Sequence, residues 1–253
     1  MTKNVLITGA CKNTGYGIAE KFAENGYNVF ITSRKEEESI EASKRLSAKY
    51  KQAEIFPLAL DDSMEESAIA EVFEKIEKSG YPLSCIVLNA ANLGLDQEFY
   101  TMSIEQLQAV FNTNVFWNFV LVREATKQMK KLGGGSVVFI TSNTAYRVIP
   151  NRLAYESTKG ALLSMSRAIA LDLGKYGIRS NCVLPGMIKT DRWDANIGGQ
   201  RDSLTAKTPI GDIADFDDIA NATYYFGSDL SKNTTGAELV VDGGNMIRLT
   251  PEL

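Results

Sequence analysis

The chain contains no histidine and only three cysteines, none of them in a Cys-x-x-Cys pair. Without imidazole or paired thiolates, the zinc site of a zinc-dependent alcohol dehydrogenase has no ligand set. A Ser-His-Asp hydrolase triad lacks its base. No metal is expected. Positive charge is also in deficit, 27 Lys and Arg against 31 Asp and Glu, whereas nucleic-acid binding needs a basic face. No apolar run approaches the ~18 residues that suggest a membrane span. The sequence runs from Lys3 straight into an apolar segment, so no signal peptide is expected. Cys11, Cys85 and Cys182 are odd in number and far apart, and two sit in strand-like runs. They read as reduced thiols of a cytoplasmic protein. Repeats, low-complexity tracts and linkers are missing too, and 253 residues suit one large domain spanning 1–253.

What is present is a regular alternation. Apolar strand-like runs at Asn4–Thr8, Asn28–Thr32, Glu54–Leu60, Ser84–Leu88, Val137–Thr141, Ile178–Leu184 and Glu238–Val241 are separated by longer segments with helical periodicity. These include a helix from the glycine loop to about Asn25, an amphipathic one over Met64–Ser79, and a long pattern over Ser103–Lys131. Another starts before Tyr155 and stops at Gly177, and one covers Phe216–Ser228. Strands joined by crossover helices predict an α/β fold, a Rossmann-type doubly wound parallel sheet of seven strands with helices on both faces. Ligands bind such sheets beyond the carboxyl ends of the strands. A polar stretch at about 187–209, with Trp193 and Gly198-Gly199, reads as a cover over that edge.

The stretch Gly135–Gly160 carries the most chemistry. An apolar strand ends in Ser142, and a helix then presents Tyr155 and Lys159 one turn apart on one face. A free tyrosine has a pKa near ~10, and a cation against it is expected to lower that value. The pair can then exchange a proton with a substrate oxygen that the Ser142 hydroxyl also holds. By itself the spacing is weak evidence, since it is also that of an ordinary exposed i, i+4 pair. Lys3–Gly17, a strand feeding a glycine loop (Gly9, Gly15, Gly17) and a helix start, suits a phosphate site, because helix N-terminal N–H groups point at the anion. It is equally a βα turn that needs glycine, and it is not the G-x-G-x-x-G fingerprint. After the second strand come Ser33, Arg34 and Lys35 in place of the acid that meets an NAD ribose. With Lys12 in the loop, that favours NADP(H) over NAD(H). Lys35 also reads as the start of a solvated helix, since Glu36, Glu37 and Glu38 follow. Asn89-Ala90-Ala91 either admits a cofactor across the strand ends or packs tightly. Asn114, amid apolar helix positions, must satisfy its amide.

Taken together these motifs resemble the short-chain dehydrogenase/reductase family, and within it the 3-oxoacyl-(acyl carrier protein) reductase-like branch, over essentially the whole length. Ser142, Tyr155 and Lys159 match the family's serine and Y-x-x-x-K, and Asn114 its helix asparagine. Asn89-Ala90-Ala91 is similar to N-A-G, Pro185-Gly186 to Thr190 to P-G-x-x-x-T, and Asp242-Gly243-Gly244 to the C-terminal D-G-G. The resemblance implies cofactor contacts at Gly9, Lys12, Gly15, Gly17, Ser33, Arg34, Asp61, Asn89, Tyr155, Lys159, Pro185, Gly186, Ile188 and Thr190. It implies hydride transfer between NADP(H) and a small carbonyl or alcohol substrate. Tyr155 is then the general acid/base, Ser142 holds the carbonyl oxygen, Lys159 grips the ribose, and Asn114 holds a relay water. A homotetramer or dimer through the long helices is also implied, with Phe116, Phe119, Leu162 and Met165 as its apolar stripes. The glycine loop has two residues more than the family's usual T-G-x-x-x-G-x-G, a length reminiscent of enoyl reductases. Those relatives, however, separate tyrosine and lysine more widely. Sugar or steroid dehydrogenation and a non-catalytic NADP-binding regulator remain alternatives.

Overall fold

A computed structural model describes residues 3–190 and 205–248. Seven strands form one parallel sheet in the order β3-β2-β1-β4-β5-β6-β7. They are β1 (Asn4–Ile7), β2 (Asn28–Ser33), β3 (Ile55–Ala59), β4 (Cys85–Leu88), β5 (Gly135–Ile140), β6 (Ile178–Pro185) and β7 (Glu238–Val241). The helices are α1 (Asn13–Glu24), α2 (Glu36–Lys49), α3 (Glu66–Lys78), α4 (Ile104–Phe111), α5 (Trp117–Leu132), α6 (Leu153–Leu173) and α7 (Phe216–Gly227).

The period of two along each strand sends alternate side chains to opposite faces. Val5 and Ile7 join the core with α1, α2 and α7, while Leu6 joins the one with α3, α5 and α6. Both faces are covered, which is why β1 and β4 read as unbroken apolar runs and are wholly buried. The doubly wound seven-stranded sheet is as expected.

The long pattern over Ser103–Lys131 is not one helix. α4 begins with a capping box between Ser103 and Gln106. Residues Asn112–Phe116 then form a π turn before α5 resumes. The wider turn accommodates one extra residue and brings Asn114 into the interior, a common device at functional sites. α5 ends on Gly133 in the left-handed conformation, φ 80°. Among the described residues no helix is long and apolar enough to cross a membrane. The described cysteines are all free. Trp193 and Gly198-Gly199 lie outside the described residues.

Candidate active site

The parallel sheet delivers the glycine loop, Arg34, Asn89, Ser142 and Gly186 to one edge, because each directly follows a strand. The loop after β1 is pinned from two sides. Thr8 Oγ1 accepts from the Asn89 and Ala90 N–H groups, at 2.9 and 3.0 Å. The Asn89 amide donates to the Thr8 and Gly9 carbonyls, at 3.0 and 3.2 Å. Gly9 sits at φ +63°, and a Cβ on Gly15 would lie 2.2 Å from the Gly9 oxygen and 2.6 Å from Asn89 Nδ2. A Cβ on Gly17 would meet the Phe216 Cβ at 2.9 Å, so Gly15 and Gly17 are required by close approach and Gly9 by its backbone conformation. Asn89 acts here through packing and loop fixing, so both of its sequence readings meet in one residue.

α1 starts at Asn13 with Lys12 exposed at its N-cap. It has no side-chain cap and no acidic residue in its first turn. The first backbone N–H groups of a helix have no intrahelical partner, and here none is taken by a cap. Together with the helix dipole, this leaves a cradle whose donor set fits a pyrophosphate. The longer loop preserves that cradle.

At the end of β2, Arg34 is exposed. The Ser33 hydroxyl donates to Glu38 at 2.9 Å, and Glu38 also pairs with Lys35 at 3.8 Å. An acid therefore does reach this strand end, from the first turn of α2. A further cation sits nearby: Arg45 donates to the Cys11 carbonyl at 3.0 Å and lies 4.7 Å from the Tyr16 ring centroid. Asp61 follows β3 and accepts from the Ser63 N–H at 2.7 Å. That bond and the Ser63 hydroxyl hold its carboxyl below the usual range, with Arg34 contributing.

Pro185 is the last residue of β6. Gly186 donates to the Val241 carbonyl at 3.0 Å, and its α-carbon is so close to Asp242 that a Cβ would meet the aspartate Cβ at 2.6 Å. Asp242 in turn accepts from Asn143 Nδ2 at 3.0 Å, so the Asp-Gly-Gly turn steadies the segment that follows Ser142. Ile188 bridges to Ala214, and Thr190 is partly buried at the end of this segment.

Ser142, Tyr155 and Lys159 are brought together. Ser142 Oγ accepts from the Thr144 N–H at 3.2 Å and the Thr144 hydroxyl at 2.9 Å. Its own proton is thus the one left to give, and the Ser142 hydroxyl is close enough to the Tyr155 phenol to favour its charged form. Lys159 Nζ lies 5.3 Å from the Tyr155 ring centroid, buried, and donates to the Ile140 carbonyl at 2.8 Å.

The expected lowering of the tyrosine pKa is corrected here. Burial raises the phenol above its usual value, outweighing Arg152 and the Ser142 hydroxyl, and Glu156 adds to the rise. The lysine's ammonium is turned to a backbone carbonyl, and burial lowers its own pKa to about 8. Desolvation penalises both charged forms, and in this arrangement it wins.

Asn114 is 1% exposed and its amide is fully employed. It accepts from the Asn92 N–H at 2.7 Å and donates to the Asn92 carbonyl at 2.9 Å and to Thr158 Oγ1 at 3.0 Å. It clamps the loop after β4 to the residue preceding Lys159. Its own carbonyl accepts from Asn118 Nδ2 at 2.7 Å. Each buried group left unpaired here would cost about 1–3 kcal/mol. The contacts that Thr144, Thr158, Asn118, Arg152 and Glu156 make here were not foreseen. Only Arg152 carried a readable signal, since it stands three residues before Tyr155 at the helix start.

The family model described as Enoyl-(Acyl carrier protein) reductase matches residues 9–245. An L-rhamnose-1-dehydrogenase of Scheffersomyces stipitis is 33% identical over 252 residues, covering 98% of this chain and 97% of the relative. An NADP-dependent (R)-specific alcohol dehydrogenase of Lentilactobacillus kefiri is 32% identical over 246 residues, with 96% of each chain covered. The solved structure of ElxO with NADP bound is similar at a TM-score of 0.88 and 30% identity, over 98% of this chain and 100% of that one. With the sheet order and the near-complete coverage, these matches make the chain a member of the short-chain dehydrogenase/reductase family of oxidoreductases.

Proposed function

We propose that the protein is an NADP(H)-dependent oxidoreductase that interconverts a ketone and a secondary alcohol. The observation that carries this reading is the meeting of Ser142, Tyr155 and Lys159 at the sheet edge that also carries the uncapped N-terminus of α1. A bound nicotinamide supplies or accepts the hydride at the substrate carbon. In reduction Tyr155 gives its phenolic proton to the carbonyl oxygen, and in oxidation it takes the hydroxyl proton back. A phenol kept protonated by burial suits the acid role at neutral pH. Ser142, oriented by Thr144, donates to the same oxygen. Lys159 lies against the phenol ring with one proton on the Ile140 carbonyl, leaving donors for a ribose. Asn114 fixes the floor of the site. Gly9, Gly15 and Gly17 with the α1 N–H groups hold the pyrophosphate, and Lys12, Ser33 and Arg34 meet the 2′-phosphate. Asp61 would meet the adenine, and Pro185, Gly186, Ile188 and Thr190 would hold the nicotinamide side.

A second reading is enoyl reduction, favoured by the description of the matching family model and by the longer glycine loop. The three residues between Tyr155 and Lys159 and the named activities of the two relatives support the carbonyl reading. A panel of ketones against enoyl thioesters separates them. We also propose one domain over 1–253, a cytoplasmic location, and a homotetramer or dimer. For the last, exposed Phe116 and Phe119 on the α5 side offer apolar surface, whereas Leu162 is buried in the core and Met165 packs against it.

The first test is a titration with NADPH and NADH followed by nicotinamide fluorescence. NADPH is expected to bind about tenfold or more tightly, the low end for an exposed charge-assisted contact. Arg34→Ala is expected to erase most of that difference, and Glu38→Gln to widen it by removing a carboxylate from the strand end. Equal affinities would overturn the reading of Arg34. Failure to bind either nucleotide would overturn the functional reading as a whole.

A further inference from the structure

Two cations, not one, lie against the Tyr155 ring. The Arg152 guanidinium carbon is 5.2 Å from the ring centroid and Lys159 Nζ is 5.3 Å from it. They stand in different surroundings. Lys159 is buried and holds the Ile140 carbonyl. Arg152 is at the start of α6, its side chain 21% exposed, and forms an ion pair with Asp96 in the loop after β4. One residue further along that loop, the Gln97 N–H donates to the Asn151 carbonyl at 3.0 Å. The loops after β4 and β5 are thus tied at two adjacent points, and Arg152 reaches from one tie to the phenol.

We propose that Arg152 is a positioning residue for Tyr155 that holds its ring, and that the ion pair between Arg152 and Asp96 latches the two loops together. This inference rests on the functional reading of Tyr155 given above. The remaining groups near Tyr155 are consistent with it. From α6 come Lys159 and Glu156, the latter a buried carboxylate that opposes phenolate formation and accepts from the Ile149 N–H at 2.7 Å. After β5 comes Ser142, whose hydroxyl favours phenolate. The Cys182 thiol of β6 stands near Lys159, and the π turn brings only the neutral amide of Asn114.

A cation a few ångströms from a phenol lowers its pKa, and a carboxylate shared with that cation blunts the effect. The two partners of the ion pair therefore have opposite signs, which a plain loop staple would not. The test is a titration of the cofactor-free protein labelled at tyrosine Cζ with carbon-13. It is followed by NMR from pH 7 to 11, with the Tyr155 signal assigned by its loss in Tyr155→Phe. In Arg152→Gln the approach of Tyr155 to phenolate is expected about 0.5–1 pH unit later, the low end for a nearby charge that is partly screened. In Asp96→Asn it is expected earlier, and in Arg152→Lys near the wild-type position.

The latch is read separately by hydrogen exchange. Protection of the Gln97 amide is expected to fall about 2–5-fold in Asp96→Asn, as for other exposed ion pairs. Shifts of one sign in Arg152→Gln and Asp96→Asn, superimposed titrations, or no ionisation of Tyr155 below pH 11 in any of the proteins would each overturn the proposal. The measurement uses the protein alone. Failure of the functional reading appears instead as full turnover by Tyr155→Phe or as absence of nucleotide binding, so the two failures are distinguishable.

Discussion

Tyr155→Phe is expected to lower turnover by about 10²–10⁴-fold, the range for loss of a positioned general acid/base, with folding and nucleotide affinity retained. Phenylalanine keeps the ring against Arg152 and Lys159 and removes only the phenol oxygen. Packing of α6 is thereby unchanged, so the loss reads as chemistry. It should fall on kcat and on kcat/KM alike, because the proton is transferred only in the transition state. Steady-state kinetics on a ketone and secondary-alcohol panel, beside a thermal melt, checks this. A folded Tyr155→Phe protein with undiminished turnover would refute the assignment of Tyr155.

Lys159→Met has two expected effects of opposite sign. Turnover should fall by about 10²–10³-fold as the ribose and phenol lose their cation. Stability at pH 7 should rise. The lysine's pKa in the folded chain is lowered to about 8 from its ordinary 10.5, with burial the largest cause. Below about pH 8 the folded protein carries a buried ammonium and the whole penalty applies. Between about 8 and 10.5 the penalty shrinks, because the unfolded chain still binds a proton that the folded one has released. Above that range lysine is neutral in both states and the penalty is gone. At ~1.36 kcal/mol per pKa unit the penalty is on the order of 3 kcal/mol, and loss of the bond to the Ile140 carbonyl returns roughly 1–2 kcal/mol of it. A Tm increase of about 2–6 °C at pH 7 follows, narrowing as the pH is raised. A variant less stable than wild type at neutral pH would show that the ammonium is better solvated than its burial implies.

Most of the architecture was legible because its signals are local. Unbroken apolar runs such as Cys85–Leu88 come from burial on both faces, and glycine after β1 comes from a turn no other residue fits. Ser142, Tyr155 and Lys159 were legible for a related reason. A strand end and a helical period place them without knowledge of the rest. What escaped depends on pairings across the chain. Nothing local marks the π turn at Asn112–Phe116, which is justified by Asn114 finding Asn92 and Thr158. Glu38 was seen as part of a solvated run, but its hydrogen bond to Ser33 needs the return of α2 against β2. The direction of the Tyr155 pKa was misjudged for the same reason. Spacing reveals a neighbouring cation but not how deeply the pair is buried, nor that a main-chain carbonyl has captured the ammonium.

The placement of β1 in the sheet bears on how fast the molecule forms and comes apart. Val5 pairs with Val29 on one side and with Cys85 on the other, so the strand's second edge closes only through a long loop. Parallel pairings of this separation are slow to form. The nucleotide cradle needs Asn89 after β4, and the tyrosine needs β5 and α6 in place, so a partly folded chain with only the first three strands paired has nothing to offer a nucleotide. Bound nucleotide therefore stabilises the finished molecule alone. Its effect belongs to the unfolding rate, which it slows, and not to the folding rate, which it leaves alone.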